Sequence, residues 1–174
     1  ISLIQKKKLK KFSSDKLREE CGIFGISNHE DASALVALGL HAHQHRGQEG
    51  CGIVSFDGKN YHSEKRQGLV GDHFTNFETL KKLPGEYSIG HNRYSTTGET
   101  SLRNIQPFFA DLHMGGLSLA HNGNLTNALS LRDALVKDGA IFRTTSDTET
   151  IVQLIAKSKR EKVVEKLIDT LFQI

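Results

Sequence analysis

Cys21 lies between a charged, lysine-rich segment and an apolar segment that is typical of a β-strand. Glu19 and Glu20 precede it, and residues 22–26 have the sequence GIFGI. If the chain is cut before Cys21, this residue carries both a thiol and a free α-amino group, and the amine can accept the thiol proton. The residue types therefore predict an activated nucleophile. The alternative is a cysteine that packs as a small apolar side chain, which is common in protein cores.

Four other segments combine polar side chains with glycine or with small hydroxyl residues. They are residues 44–50 (QHRGQEG), 91–98 (HNRYSTTG), 121–124 (HNGN) and 146–149 (SDTE). Each has an ordinary structural explanation, since Asn-Gly is above all a turn signal, SDTE resembles the start of a capped helix, and Arg93 could be a surface charge. Together with Cys21, however, they supply the groups that one reaction needs, the hydrolysis of the side-chain amide of an amino acid.

The chemistry of that reaction assigns a role to each residue type. The oxyanion of a tetrahedral intermediate needs hydrogen-bond donors, which the side chain of Asn122 and the backbone N–H of Gly123 can supply. The α-carboxylate of the substrate needs a cation, and Arg93 offers a planar fork of donors, with the hydroxyl of Thr96 as a supporting donor. Asp147 offers the opposite charge for the ammonium group. Glutamine is an amide that meets all three requirements.

The hydrophobic pattern predicts the strands and helices that carry these segments. Predicted strands cover residues 22–27, 52–56, 59–65, 87–94 and 117–121. Predicted helices cover residues 32–45, 74–83, 124–136, 148–156 and 163–172. Asp57-Gly58, between the second and third strands, is a strong signal for a two-residue hairpin turn. Hairpin-like strands with helices before, among and after them favour an α+β sandwich.

Composition and charge narrow the class of protein. Of the 174 residues, 37% are hydrophobic and 25% are charged, as expected for one globular domain. Residues 1–20 contain seven Lys/Arg and three Asp/Glu, a net charge of +4, which leaves −1 for residues 21–174. We expect residues 1–20 to be a leader that is removed; the alternative is a localisation signal or a basic nucleic-acid patch. The near-neutral charge of residues 21–174 argues against nucleic-acid binding.

The cysteines and the apolar segments indicate the cellular compartment of the protein and whether it associates with a membrane. No segment approaches the roughly 20 consecutive apolar residues of a transmembrane helix, so no membrane association is predicted. Cys21 and Cys51 show no paired spacing, and no secretory signal precedes them, which predicts a cytoplasmic protein. Cys51, flanked by two glycines, is predicted to be a small buried side chain. Neither cysteine belongs to a metal-ligand pattern, and we expect no cofactor in this segment.

Six short motifs, in their order along the chain, resemble one enzyme family. They are residues 21–26 (CGIFGI), 44–50 (QHRGQEG), 91–98 (HNRYSTTG), 106–108 (QPF), 119–127 (LAHNGNLTN) and 145–149 (TSDTE). This set is similar to the glutaminase half of the amidophosphoribosyltransferases, which are class II glutamine amidotransferases, and the likeness extends over about residues 18–158. Residues 21–174 are therefore expected to form a type-2 glutamine amidotransferase domain that is incomplete at its C-terminal end.

The resemblance implies a fold and a mechanism. The fold would be a four-layer αββα sandwich of the N-terminal-nucleophile hydrolase type, with two antiparallel sheets flanked by helices. Cys21 would attack the glutamine amide to give a γ-glutamyl thioester and ammonia, with its own α-amino group as the base. Arg93, Thr96 and Asp147 would hold the α-carboxylate and ammonium of the substrate. The remaining implied site residues are Asn122 and Gly123 at the oxyanion and Arg46 beside the nucleophile.

The family also implies properties of a longer protein. A second domain, absent after Ile174, would bind phosphoribosyl pyrophosphate and use the ammonia for the first step of purine synthesis. That domain would hold Mg²⁺ and a [4Fe–4S] cluster, and the whole enzyme would be a homo-oligomer. Two alternatives stay open at this point. The chain could be the glutaminase domain of another class II amidotransferase with a different acceptor, or an unprocessed, non-catalytic binding module.

Overall fold

Two antiparallel sheets and several helices make up the computed structural model, which describes residues 21–94 and 101–174. The predicted leader 1–20 and the predicted donor Thr96 lie outside the described residues. The strands are β1 (Gly22–Ser27), β2 (Gly50–Phe56), β3 (Tyr61–Gln67), β4 (Tyr87–Arg93), β5 (Phe108–Leu112) and β6 (Gly115–Leu119). The α-helices are α1 (Ala32–Ala42), α2 (Val70–His73), α3 (Phe77–Leu80), α4 (Ala128–Lys137), α5 (Thr148–Lys157) and α6 (Val163–Leu171). Single 3₁₀ turns occupy Gln44–Arg46 and Leu102–Asn104.

The larger sheet has the strand order β1-β4-β2-β3, with antiparallel neighbours throughout. Its register pairs Gly22 with Asn92 and Gly50 with Arg93. The residue before β1, Cys21, therefore lies at the edge of the sheet where β4 ends. Strands β5 and β6 form a separate two-stranded antiparallel sheet. Because hydrogen-bonded neighbours bring distant segments together, the sheet alone places the predicted nucleophile beside the predicted carboxylate-binding arginine.

One face of the larger sheet is covered by α1, and the hydrophobic core lies between them. Side chains alternate between the two faces of a strand, so Cys51 and Ile53 of β2 point toward α1. The buried residues of this core are Val36, Ala37, Leu40, Cys51, Ile53, Val70, Phe74 and Leu83. Gly39 of α1 lies against the ring of Phe24, and any side chain at position 39 would overlap that ring. The small residue therefore sets how closely the helix approaches the sheet.

The other face of the larger sheet packs against the β5–β6 sheet. The phenol of Tyr61 donates to the carbonyl of Gly116 over 2.8 Å, and its ring centroid lies 5.0 Å from that of Phe109. Helix α5 contacts β5, and α4 packs on α5. The layers thus run from α1 through the two sheets to the pair α4 and α5. The α+β sandwich predicted from the sequence, with two antiparallel sheets flanked by helices, is confirmed.

Several element boundaries differ from the sequence prediction, each for a local reason. The hairpin turn spans residues 57–60 instead of two residues, because the carboxylate of Asp57 accepts from the backbone N–H groups of Lys59 (2.9 Å) and Asn60 (2.7 Å). The single helix predicted over 74–83 is wrong. The chain forms α2 and then α3, because the side chain of Asn76 caps a new helix by accepting from the N–H of Glu78 at 2.9 Å.

Three further differences concern the ends and the number of elements. Helix α1 ends at Ala42 and gives way to a 3₁₀ turn, and α4 starts at Ala128 rather than at residue 124. In the segment before α4, the N–H of Leu125 donates to the carboxylate of Asp147. Strand β5 was not predicted. Within the described ranges, no helix combines the length and apolarity needed to cross a bilayer.

Candidate active site

The thiol of Cys21 is held at the end of β4 by the backbone. Its Sγ accepts from the N–H of Tyr94 at 3.4 Å and lies 3.6 Å from the carbonyl oxygen of the same residue. The other cysteine, Cys51, is fully buried in the core under α1, and burial raises the pKa of its thiol to about 12. Both thiols are free. Only Cys21 opens on a cavity, which makes it the cysteine with access to a substrate.

The carbonyl oxygen of Cys21 receives donors from two separate loops. Nε of Arg46, which follows α1 in the 3₁₀ turn, donates over 3.1 Å. Nδ2 of Asn122 donates over 2.6 Å. The predicted supporting residue and the predicted oxyanion donor thus both contact the predicted nucleophile, through its backbone. The neighbouring Gly123 has φ +145°, a conformation that favours glycine, and lines the cavity itself.

Arg93, the last residue of β4, brings its guanidinium to the same cavity. Nη1 donates to the backbone carbonyl of Asn104 over 2.8 Å, which fixes the orientation of the planar group. Nε is buried and has no hydrogen-bond partner among residues 21–94 and 101–174. Held in this orientation at the cavity, the guanidinium has the planar geometry that fits a carboxylate.

Asp147 immediately precedes α5 and also lines the cavity. Oδ2 accepts from the N–H of Leu125 over 2.8 Å, and Oδ1 lies 3.5 Å from the hydroxyl of Thr148. The side chain does not cap α5, although the sequence around it resembles a capped helix start. It instead accepts from the loop before α4, and it lines the same cavity as Arg93.

These residues surround one cavity of about 280 Å³, which we call the Cys21 cavity. Its size is near the lower end of the roughly 300–1,000 Å³ of small-molecule sites. It is lined by Cys21, His91, Arg93, Tyr94, Asn104, Gln106, His121, Gly123, Asn124, Leu125, Ala128, Thr145, Ser146 and Asp147. Of the sequence-predicted residues, four line it and Arg46 and Asn122 contact Cys21. Thr96 lies outside the described residues.

Three buried lining residues carry polar groups that the site prediction did not include. Asn104 and Gln106 are both buried and hydrogen-bonded to loops of the cavity. His91 is 1% exposed, and neither ring nitrogen has a hydrogen-bond partner within the described ranges. Burial first, and then the charge of Arg93, lowers the pKa of His91 to about 3, so the ring is neutral. In the sequence, His91 belongs to the motif at 91–98 and Gln106 to the Gln-Pro-Phe motif at 106–108, whereas Asn104 belongs to neither.

The described residues contain no group of three histidine, cysteine or acidic side chains arranged to hold a metal ion. The polar groups around the Cys21 cavity include an arginine, an aspartate, side-chain amides, two imidazoles, hydroxyls and a thiol. That donor set suits a small zwitterionic molecule, because it offers a cation, an anion and several neutral hydrogen-bonding groups in one enclosure.

Comparison with protein families matches residues 91–169 to a glutamine amidotransferase domain. Among curated proteins, the chain is 58% identical over 160 residues to amidophosphoribosyltransferase of Rhizobium etli, covering 92% of this chain and 32% of that protein. It is 50% identical over 143 residues to amidophosphoribosyltransferase of Bacillus subtilis, covering 82% of this chain and 30% of that protein. The chain thus spans about a third of the length of these relatives.

Solved structures give the same likeness. The glutamine phosphoribosylpyrophosphate amidotransferase of B. subtilis, complexed with ADP and GMP, superposes with a TM-score of 0.80 at 42% identity, over 87% of this chain and 32% of that chain. A structure described as the allosteric regulatory enzyme of purine biosynthesis superposes with a TM-score of 0.82 at 43% identity, over the same shares. Both the sequence and the fold of the described residues are therefore similar to this group of enzymes.

Proposed function

The chain belongs to the family of glutamine amidotransferase domains carried by amidophosphoribosyltransferases, and from that premise we propose that it hydrolyses glutamine with Cys21 as the nucleophile. The observation that carries the proposal is the convergence of a thiol, a guanidinium and a carboxylate on the Cys21 cavity. Cys21, Arg93 and Asp147 come from three different elements, and each has a partner that orients it.

Substrate binding follows from the charges at the cavity. The α-carboxylate of glutamine binds the free donors of Arg93, with the hydroxyl of Thr96 as a supporting donor. The α-ammonium binds Asp147, whose carboxylate is oriented by the N–H of Leu125. These two contacts fix the amino-acid end of the substrate and direct its side-chain amide toward the thiol of Cys21. Correct alignment of reacting groups is itself a large part of the rate enhancement in such reactions.

The chemical steps need a free α-amine on Cys21, and we propose that removal of residues 1–20 provides it. An unperturbed α-amine has a pKa of about 7.7–8.0, so near neutral pH it exchanges protons readily. The amine accepts the thiol proton, and the thiolate attacks the amide carbon. Nδ2 of Asn122 and the N–H of Gly123 stabilise the resulting oxyanion. The C–N bond then breaks, the leaving nitrogen takes the proton from the α-ammonium, and ammonia departs.

The remaining γ-glutamyl thioester is hydrolysed by water, which regenerates the thiol and releases glutamate. Arg46 supports both halves of the reaction by holding the carbonyl of Cys21 at 3.1 Å. Asn122 contacts the same oxygen at 2.6 Å, which places its amide beside Cys21.

For the whole protein we propose amidophosphoribosyltransferase activity, in which the ammonia reacts with phosphoribosyl pyrophosphate to give phosphoribosylamine. The names of the relatives support this acceptor over that of another class II amidotransferase. Residues that bind phosphoribosyl pyrophosphate, Mg²⁺ or a [4Fe–4S] cluster would belong to the further two thirds of the relatives' length. We further propose a homo-oligomer located in the cytoplasm, without nucleic-acid or membrane partners.

The test is glutamate release from glutamine by protein whose first residue is Cys21. We expect hydrolysis by this form and none by protein that retains residues 1–20, because the retained peptide bond removes the basic amine. Intact mass spectrometry identifies each form, and an acyl-enzyme trapped by acid quenching should add the mass of a γ-glutamyl group. Equal activity of the two forms would contradict the role of the amine, and no activity in either would contradict the proposed function.

A further inference from the structure

We propose that Asn104 and Gln106 are positioning residues, each of whose side-chain amides fixes one loop of the Cys21 cavity. Asn104 fixes the loop that carries Asp147, and Gln106 fixes the loop that carries Asn122 and Gly123. The kinetic consequences rest on the function proposed above, whereas the structural consequence can be measured without it. The contacts proposed above for the nucleophile, the oxyanion and the substrate charges do not involve the side-chain amide of either residue.

Asn104 joins the two charges of the site. Its backbone carbonyl accepts from Nη1 of Arg93 over 2.8 Å. Its side chain forms a pair of bonds with Thr145: Nδ2 donates to the hydroxyl at 2.9 Å, and Oδ1 accepts from the backbone N–H at 3.1 Å. Thr145 stands two residues before Asp147. One residue, only 6% exposed, therefore sets the separation between the guanidinium and the carboxylate.

Gln106 makes the same kind of paired contact with the next loop. Its Oε1 accepts from the backbone N–H of His121 at 2.7 Å, and its Nε2 lies 3.3 Å from the carbonyl oxygen of the same residue. His121 directly precedes Asn122, whose amide contacts the carbonyl of Cys21. Gln106 is 7% exposed, so its amide competes little with water for these bonds. The two hydrogen bonds between Gln106 and His121 hold the start of the Asn122–Gly123 turn at a fixed distance from the sheet.

Both amides project from a short segment that is itself anchored. The N–H of Asn104 donates to the carbonyl of Ser101 at 2.8 Å, closing the 3₁₀ turn. Ile105, between the two amides, is fully buried against Gly50 and Gly52 of β2. The backbone at Gln106 lies so close to β2 that a side chain on Gly52 would overlap it. Residues 104–106 thus form a fixed base, from which each amide reaches a different loop.

Because Asn104 and Gln106 contact different loops, their substitution should cause different kinetic defects. Asn104→Leu keeps the volume and the backbone contact to Arg93 but removes both bonds to Thr145, so glutamine binding should weaken. We expect a rise in KM of up to about 10²-fold, with a smaller change in kcat. Gln106→Met removes both bonds to His121 and should lower kcat by up to about 10²-fold, with little change in KM. Gln106→Glu keeps the acceptor at 2.7 Å and should recover part of kcat.

The mobility of the two loops tests the inference without any measurement of activity. Hydrogen exchange of the intact protein, followed by mass spectrometry of overlapping peptides, should accelerate at residues 144–148 in Asn104→Leu and at 121–124 in Gln106→Met. Ser33→Ala is the control, because it removes a buried hydrogen bond to the carbonyl of Leu83 (2.8 Å) on the α1 side of the sheet. It should change neither the exchange rate of the two loops nor kcat or KM.

The combined results of hydrogen exchange and kinetics test the positioning role in three ways. Loop-specific exchange together with the KM and kcat split supports the inference. Uniform acceleration of exchange in both variants, or no acceleration in either, overturns it, because the amides would then serve only general stability. If the wild type releases no glutamate, the proposed function fails, while loop-specific exchange still supports the positioning role and its absence still refutes it.

Discussion

The sulfur of Cys21 accepts a hydrogen bond from the backbone N–H of Tyr94 over 3.4 Å, although 73 positions separate the two residues. The pairing of β1 with β4 creates this contact, because Gly22 lies opposite Asn92 and the chain direction then brings residue 21 to the end of β4. The strand that presents Arg93 thus also holds the sulfur of Cys21 in place.

Selective alkylation should distinguish the two cysteines. Iodoacetamide at pH 8 should modify Cys21, which opens on the cavity, and leave Cys51 unmodified, because Cys51 is fully buried and its thiol pKa is about 12. Peptide mass spectrometry measures both sites. Cys21→Ala should abolish glutamate release, whereas Cys51→Ala should keep it and lower the free energy of unfolding by roughly 1 kcal/mol. Faster labelling of Cys51 than of Cys21, or activity in Cys21→Ala, would refute this assignment.

Charge removal at Asp147 should weaken binding only for substrates with an α-ammonium group. Asp147→Asn retains an oxygen that can accept from the N–H of Leu125, so the loop should keep its position. The lost charge-assisted contact, about 1.5–3 kcal/mol, should raise KM for glutamine roughly 10-fold to 150-fold. The matched control is glutaramate, which is glutamine without its amino group. Its KM should be the same for both proteins, and an equal rise for the two substrates would rule out an ammonium contact.

Arginine at position 93 should not be replaceable by lysine. Arg93→Lys retains a positive charge but loses the planar fork and the bond from Nη1 to the carbonyl of Asn104. We expect KM for glutamine to rise about 10-fold or more, since at least one charge-assisted hydrogen bond to the carboxylate is lost. Steady-state kinetics measure it, with the thermal midpoint recorded beside them. An unchanged KM would show that the carboxylate binds elsewhere.

Loss of the Asn122 amide should slow the chemical step. Asn122→Ala should lower kcat by about 10²–10³-fold with little change in KM, because an oxyanion contact is strongest in the transition state. Asn122 also contacts the carbonyl of Cys21, so the variant needs a check on the nucleophile itself. The rate of iodoacetamide labelling of Cys21 serves this purpose and should stay within about twofold of wild type, as expected if the thiol is undisturbed. A defect confined to KM would argue against the oxyanion role.

The buried ring of His91 should make stability depend on pH in the acidic range. Its pKa is about 3 in the fold, below the ordinary value of 6.5, so between these limits the unfolded chain binds a proton that the folded chain does not. The free energy of unfolding should therefore fall as the pH drops from 6.5 toward 3, by at most about 1.4 kcal/mol per pH unit from this group.

Urea unfolding at pH 7, 5.5 and 4.5 measures that slope. His91→Gln should flatten it, whatever its effect on stability at pH 7. His113→Gln, at an exposed position in the β5–β6 turn, is the control and should leave the slope unchanged. Identical slopes in wild type and His91→Gln would mean that the ring is protonated in the folded state.

The sequence was sufficient to predict the strands around Cys21 and Arg93, because alternating apolar residues and glycine boundaries are local signals. It also singled out Asn122, Gly123 and Asp147 in short polar motifs, and the fold brings these residues to Cys21 and its cavity. The role of Asn104 and Gln106 in lining the Cys21 cavity could not be predicted from local sequence signals. Its meaning depends on contacts with Thr145 and His121, and buried amides look like ordinary loop residues until the fold pairs them.

The close approach of residues 104–106 to β2 gives a final prediction, at Gly52. A methyl group there would overlap the backbone carbonyl of Gln106, and neither backbone can move freely because Ile105 is fully buried beside it. Gly52→Ala should lower the free energy of unfolding by about 1–3 kcal/mol, the usual cost of overpacking, and should also reduce glutamate release by shifting the base of both amides.

Gly25→Ala is the matched control, since a methyl group on that exposed strand position meets Ile89 only at an ordinary 3.4 Å. It should change the free energy of unfolding by no more than about 0.5 kcal/mol and leave activity intact. Urea unfolding and glutamate release, measured on both variants, decide the question. If Gly52→Ala is destabilised but fully active, the segment can shift without moving the loops, and the link between β2 and the Cys21 cavity is broken.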